Sequence, residues 1–208
     1  MIPFEVMSLF VIASLALAAA PGPDNIFVLT QSALYGRPAG LAVTAGLCTG
    51  LLVHTCLVTI GVAAIFQTSE LAFTLLKIAG AGYLLYLAWQ AFRAGASDLT
   101  DPEAERLSLR KLYLRGIIMN VTNPKVGIFF LAFLPQFADP ARGSVGIQML
   151  LLGAIFLLVT FPTFSLVAWC AGFLGNWLKQ STRAQIIMNR VAGLIFVGLA
   201  TRLMLSER

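Results

Sequence analysis

Long apolar runs alternate along this chain with short polar ones, and the apolar runs have the length of membrane-crossing helices. Crossing the hydrocarbon core takes about 20 largely apolar residues in a helix. Runs of that kind occupy roughly residues 4–34, 39–66, 71–92, 112–137, 144–177 and 184–205. Between them lie Tyr35-Gly36-Arg37-Pro38, Gln67-Thr68-Ser69-Glu70, a charged linker from Arg93 to Lys111, a turn holding Asp139, Pro140 and Arg142, and residues 178–183. The pattern predicts an all-α integral membrane protein with six transmembrane helices.

Two of the six runs carry helix breakers near their middle. The first is interrupted at Pro21-Gly22-Pro23, directly before Asp24 and Asn25, and the fourth at Asn123-Pro124-Lys125. The fifth contains Pro162, which predicts a tilt or kink. Proline inside a helix costs about 3 kcal/mol, and a charge at the bilayer centre roughly 2.5–3.5 kcal/mol on insertion scales. Pro21 and Pro23 deprive the carbonyls of Leu17 and Ala19 of their helical donors, and in lipid these must find partners in protein or a water-filled cavity. Pro23 falls near the first position of a restarting half-helix, so Asp24 sits at its positive end, where a carboxylate is stabilised. Asn123 is a natural N-cap and Pro124 a natural first residue. That puts Lys125 at the positive end of its own half-helix, a position that a nearby anion would relieve.

The two halves match. Each has three predicted helices and opens on a broken one. Lys77-Ile78-Ala79-Gly80 with Tyr83 corresponds to Arg190-Val191-Ala192-Gly193 with Phe196, and Arg37 to Arg142. An odd number of helices per half makes the second enter the membrane the opposite way, which is an inverted-topology repeat. The expected division is a first repeat over residues 1–93, a cytoplasmic linker over 94–111 and a second repeat over 112–208. A pseudo-two-fold axis would bring the two breaks together and set Asp24 opposite Lys125. Acid, base and two helix N-termini at the midplane suit a zwitterion; the plainer reading is an internal Asp24–Lys125 salt bridge. Candidate substrate-binding residues are Pro21, Gly22, Pro23, Asp24, Asn25, Asn120, Asn123, Pro124 and Lys125. His54 follows Ala42, Gly46 and Gly50 on a small-residue helix face, so it points into the bundle, as a packed histidine or a coupling group. Lys77 and Arg190 lie about two turns inside their helices, where they either snorkel to the interface or gate the two mouths.

Composition narrows the class. The chain is 59% hydrophobic and 11% charged, with a mean hydropathy of +0.88. A soluble domain carries about 25% charged residues. The net charge of +5 therefore reports orientation, and nucleic acid is excluded as a partner. Arg37, Arg93, Arg106, Arg110, Lys111, Arg115, Lys179 and Arg183 lie on or beside the segments after the first, third and fifth helices, whereas the opposite ends hold Arg142 and Arg208. Both termini are expected to face outward. Residues 15–20 resemble a leader cleavage site, but no Lys or Arg precedes them, which reads as retained helix. Cys48, Cys56, Cys170 and the single histidine do not have ligand spacing, so no metal or cofactor is expected. Protease motifs and a phosphate-binding loop are missing too, which argues against an enzyme or an ATP-driven pump.

Pro21-Gly22-Pro23-Asp24-Asn25, then Ser32-x-x-Tyr35-Gly36-Arg37-x-x-Gly40 with Gly46 and Gly50, resembles the first half of the LysE/RhtB amino-acid exporters. Residues 77–84, Asn120, Asn123-Pro124-Lys125, Phe129-Phe130 and Leu134-Pro135-Gln136-Phe137 resemble the same family's third helix and second half. The resemblance implies a secondary transporter of the bacterial inner membrane. It would export an amino acid or close derivative such as homoserine, threonine or leucine, with the two breaks as its site. Family members vary between Asp and Asn at the position of Asp24, so the acid does not by itself choose the substrate. The expected partners are that small molecule and the lipid bilayer, with a homo-oligomer left open. The alternative is a metal-ion or other small-solute exporter of a related membrane family.

Overall fold

The computed structural model describes residues 2–20, 22–68, 70–94, 107–171 and 181–205, and these form helices and short connections with no strand among them. In chain order they are α1 (Phe4–Ala19), α2 (Pro23–Tyr35), α3 (Arg37–Thr68), α4 (Glu70–Arg93), α5 (Leu109–Thr122), α6 (Pro124–Ile128), α7 (Val145–Trp169) and α8 (Thr182–Leu205). By length and composition, Arg37–Gly61 of α3 and all of α7 can each cross a membrane. α1 with α2, bent by 59°, and α5 with Pro124–Phe137, bent by 51°, each supply a further crossing when taken as one broken span.

Local chemistry explains the breaks. Gly22 is extended, and α2 restarts with Pro23 in its first turn, where a missing N–H leaves no helical bond unmade. Asn123 is also extended, and its Oδ1 accepts the Lys125 N–H at 3.0 Å, capping α6. The polar segment at 35–38 shrinks to one residue: Gly36 takes φ +87°, a conformation suited to glycine, and α3 begins at Arg37 with Pro38 in its first turn. α5 likewise starts inside the expected linker, at Leu109, capped by Ser108. Pro162 does not interrupt α7. The second proline irregularity lies elsewhere. After α6 the helix widens to a π turn over Phe129–Phe133, in which the Leu134 N–H reaches the Phe129 carbonyl, then tightens to a 3-10 turn over Leu134–Phe137. Pro135 lies in that turn and has no N–H to continue the α ladder.

α3 is the helix the others pack around, lying against α2, α5 and α7, while α4 pairs with α8. Its contact with α5 depends on glycine. A Cβ on Gly46 would collide with the Tyr113 carbonyl, and one on Gly116 would lie 2.6 Å from the Val43 carbonyl. Two cores flank the breaks. One is built on Phe10, Phe129, Phe130, Phe133, Phe137 and Phe156, with ring centroids as close as 4.6 Å. The other gathers Val28, Val43, Leu47, Leu112 and Phe164. Outside, Ile60 and Leu158 are 74% and 69% exposed, a surface that suits hydrocarbon and not water.

Candidate functional site

The end of α1 is where the chain most needs outside donors, because the proline-bearing stretch that follows cannot continue its ladder. The donors come from the other break and from α2. Lys125 Nζ donates to the carbonyls of Leu17 at 3.2 Å and Ala20 at 3.1 Å. Asn25 Nδ2 donates to the Ala18 carbonyl at 2.6 Å. A cation at the carbonyl end of α1 meets the negative pole of that helix, which answers its poor placement at the start of α6. Lys125 thus finds relief from carbonyls, where an anion was expected.

Asp24, at the start of α2, is buried and accepts from Asn120 Nδ2 at 3.2 Å and Asn123 Nδ2 at 3.0 Å. Two amides and the positive end of α2 hold the carboxylate. No direct Asp24–Lys125 ion pair forms; the one present among the described residues joins Arg142 to Asp139. The acid and the base each use neutral partners.

Asn120 reaches in two directions. Its side chain holds Asp24, and its carbonyl lies 3.1 Å from His54 Nε2. His54 is buried, stacks 5.7 Å from the Phe130 ring and faces Gly127. On the same face, Gly50 makes room for Asn120, since a Cβ there would lie 2.7 Å from Asn120 Oδ1. The small face of α3 therefore lets Asn120 approach, and His54 fixes it.

The structure brings Gly22, Asp24, Asn25, Asn120, Asn123 and Lys125 to one point and His54 one residue behind it. Pro23 and Pro124 start the two half-helices. Pro21 and the Lys77 side chain lie outside the described residues. Arg190 is exposed on α8 and does not reach the breaks; its neighbour Asn189 is buried, donates to the Ala94 carbonyl at 3.3 Å and faces a cavity. That cavity of about 480 Å³ is lined by Gly22, Pro23, Lys125, Gln90, Arg93 and Asn189. Ligand pockets run from about 300 to 1,000 Å³, so it has room for a small solute. Deeper lies a void of about 20 Å³, bounded by Asp24, Asn25, Asn120, Asn123, Lys125 and Thr160. Gly22 and Lys125 border both spaces. Asn189 and Thr160 carry no sequence signal, because an amide or hydroxyl in an apolar helix more often bonds locally.

The family model for LysE type translocators matches residues 15–207. The chain belongs to the LysE family. This LysE chain is a translocator, not an enzyme. A homoserine/homoserine lactone efflux protein of Salmonella typhimurium is 35% identical over 195 residues, covering 93% of each chain. A leucine efflux protein of an Enterobacter species is 29% identical over 199 residues, covering 93% of this chain and 92% of its own. No solved structure matches the chain. Among the described residues no three His, Cys, Asp or Glu gather as a metal site would require, so the metal-exporter alternative has no ligand set there.

Proposed function

We propose that this LysE translocator exports a neutral amino acid or close derivative across the bacterial inner membrane, by alternating access around the two helix breaks. The observation that carries the reading is the meeting of Asp24 and Lys125 without an ion pair, with Lys125 also bordering a cavity of about 480 Å³. A zwitterion needs one anion and one cation partner, and here each is held in place by neutral groups that it can exchange for substrate. The homoserine and leucine efflux relatives, by their names, point the same way.

Six transmembrane helices in two inverted repeats, residues 1–93 and 112–208 joined by a cytoplasmic linker, complete the proposal. Its support is the pairing of corresponding helices, α3 with α7 and α4 with α8, and the hydrogen bonds that join the two breaks. In this topology both termini are periplasmic. The Arg37 guanidinium over Trp169 at 4.5 Å and that of Arg93 over Trp89 at 4.8 Å then belong at the cytoplasmic interface, where cations and aromatics anchor a bundle. The cavity opens beside Arg93 and Ala94, at the linker end, and the phenylalanine cluster closes the opposite end. The conformation is inward-facing, and rocking of one repeat against the other would part the cluster. The site lies within one chain, so a homo-oligomer would multiply sites without completing one.

Efflux from preloaded proteoliposomes across a panel of radiolabelled amino acids tests the reading. Export of one or a few neutral amino acids above the empty-liposome rate is expected; no movement of any of them would overturn it.

A further inference from the structure

Two polar atoms at the centre have nothing to bind. Asn120 Oδ1 and Thr160 Oγ1 make no hydrogen bond, although Asn120 is 2% exposed and Thr160 is 3% exposed. Leaving a buried acceptor unpaired is unfavourable enough that such atoms ordinarily find protein, water or ligand. Both residues border the small void beside Asp24. The amide orientation of Asn120 follows from chemistry, because its Nδ2 faces the Asp24 carboxylate, and the reverse would set oxygen against oxygen. Its Oδ1 is therefore the unpartnered atom. Asp24, Asn120 and Thr160 stand around the void together with Phe156 and Phe164.

Size and charge select the occupant. A volume of about 20 Å³ holds one water-sized group. A carboxylate or an amino-acid side chain is too large. A primary ammonium has the right size, three N–H donors for three acceptors, and the charge that Asp24 lacks a direct partner for. We propose that the void is the subsite for the primary ammonium of the exported amino acid, with Thr160 Oγ1 and Asn120 Oδ1 completing the cradle around Asp24. The assignment rests on the amino-acid export reading and adds to it a specificity-determining residue on α7. The rest of the solute occupies the larger cavity. Lys125, which borders both spaces, leaves the Leu17 and Ala20 carbonyls for the substrate carboxylate as the ammonium enters.

The test compares binding of L-homoserine and L-leucine with that of their 2-hydroxy acid counterparts, which keep carboxylate and side chain but lose the ammonium. Purified wild type, Thr160→Val, Thr160→Ser and Asp24→Ala are measured in liposomes. Thr160→Val should weaken the amino acids about tenfold, as expected for one lost hydrogen bond to a charged group, and leave the hydroxy acids unchanged. Thr160→Ser should restore wild-type binding. Equal weakening of both solute classes would mean that Thr160 is structural, and wild-type behaviour of Thr160→Val would mean that the void holds water only; either overturns the subsite. If Asp24→Ala alone abolishes binding, the export reading stands without this subsite. If wild type binds neither amino acid and exports none, that reading falls and takes the subsite with it.

Discussion

Lys125 shows what a single residue's surroundings decide. Judged from its own helix it is a cation at the wrong pole; judged from the fold it is the donor that the end of α1 lacks. The sequence made the difficulty legible, because Asn123 and Pro124 mark a helix start by local chemistry alone. The remedy was not, since nothing local tells how far a lysine stem reaches across a bundle. Lys125→Met keeps the stem and removes the donor, stranding two carbonyls. Each buried group left unpaired costs about 1–3 kcal/mol, so this variant should unfold at a clearly lower temperature in detergent. An unchanged unfolding temperature would show that the carbonyls find other donors. Thr160 was invisible for the opposite reason: a threonine in an apolar helix usually bonds its own backbone, and only packing reveals that this one does not.

At the scale of the element, glycine separates packed helix faces from open ones. Gly46 and Gly116 let α3 and α5 touch backbone to backbone, whereas a Cβ at Gly82 of α4 meets nothing within 4 Å. Gly46→Ala should destabilise by about 1–3 kcal/mol through overpacking. Gly82→Ala should be neutral or stabilising by up to about 1 kcal/mol, as alanine favours helix. Thermal unfolding of the two variants side by side checks the contrast. Helical spacing of small residues on α3 made that face legible, but the π turn at Phe129–Phe133 was not, because it depends on how Pro135 packs and not only on its presence. The turn before α7 gives a pH prediction. The Ala141 N–H, and after it Arg142, hold the Asp139 carboxyl below its ordinary value of 3.8. A depressed value stabilises the folded turn above 3.8 and ceases to do so as pH falls through the lower folded value. The protection of the Ala141 amide relative to its unstructured exchange rate should therefore hold down to that pH and fall only below it, and Asp139→Asn should lose that pH-dependent change in protection.

At the scale of the whole molecule, the cavity beside Arg93 and Ala94 and the phenylalanine cluster about Phe10, Phe129 and Phe137 support the proposed inward-facing state of two inverted halves. Hydropathy and the two breaks made the membrane class and the meeting point readable from sequence. Which face stands open depends on how the helices lean together, and composition carries no record of that. In a background with Cys48, Cys56 and Cys170 replaced, Ala91→Cys should react with a membrane-impermeant thiol reagent applied from the cytoplasm and not from outside. The reverse pattern would invert the topology. In the proposed function, Asp24 and Lys125 bind the two charges of one exported zwitterion. The most direct test of that role is efflux of preloaded homoserine and leucine by wild type, Asp24→Ala and Lys125→Ala at matched amounts of folded protein. Wild type should export at least one of them, and each variant should lose about tenfold or more, the scale of one charged hydrogen bond. Wild-type rates in both variants would contradict it.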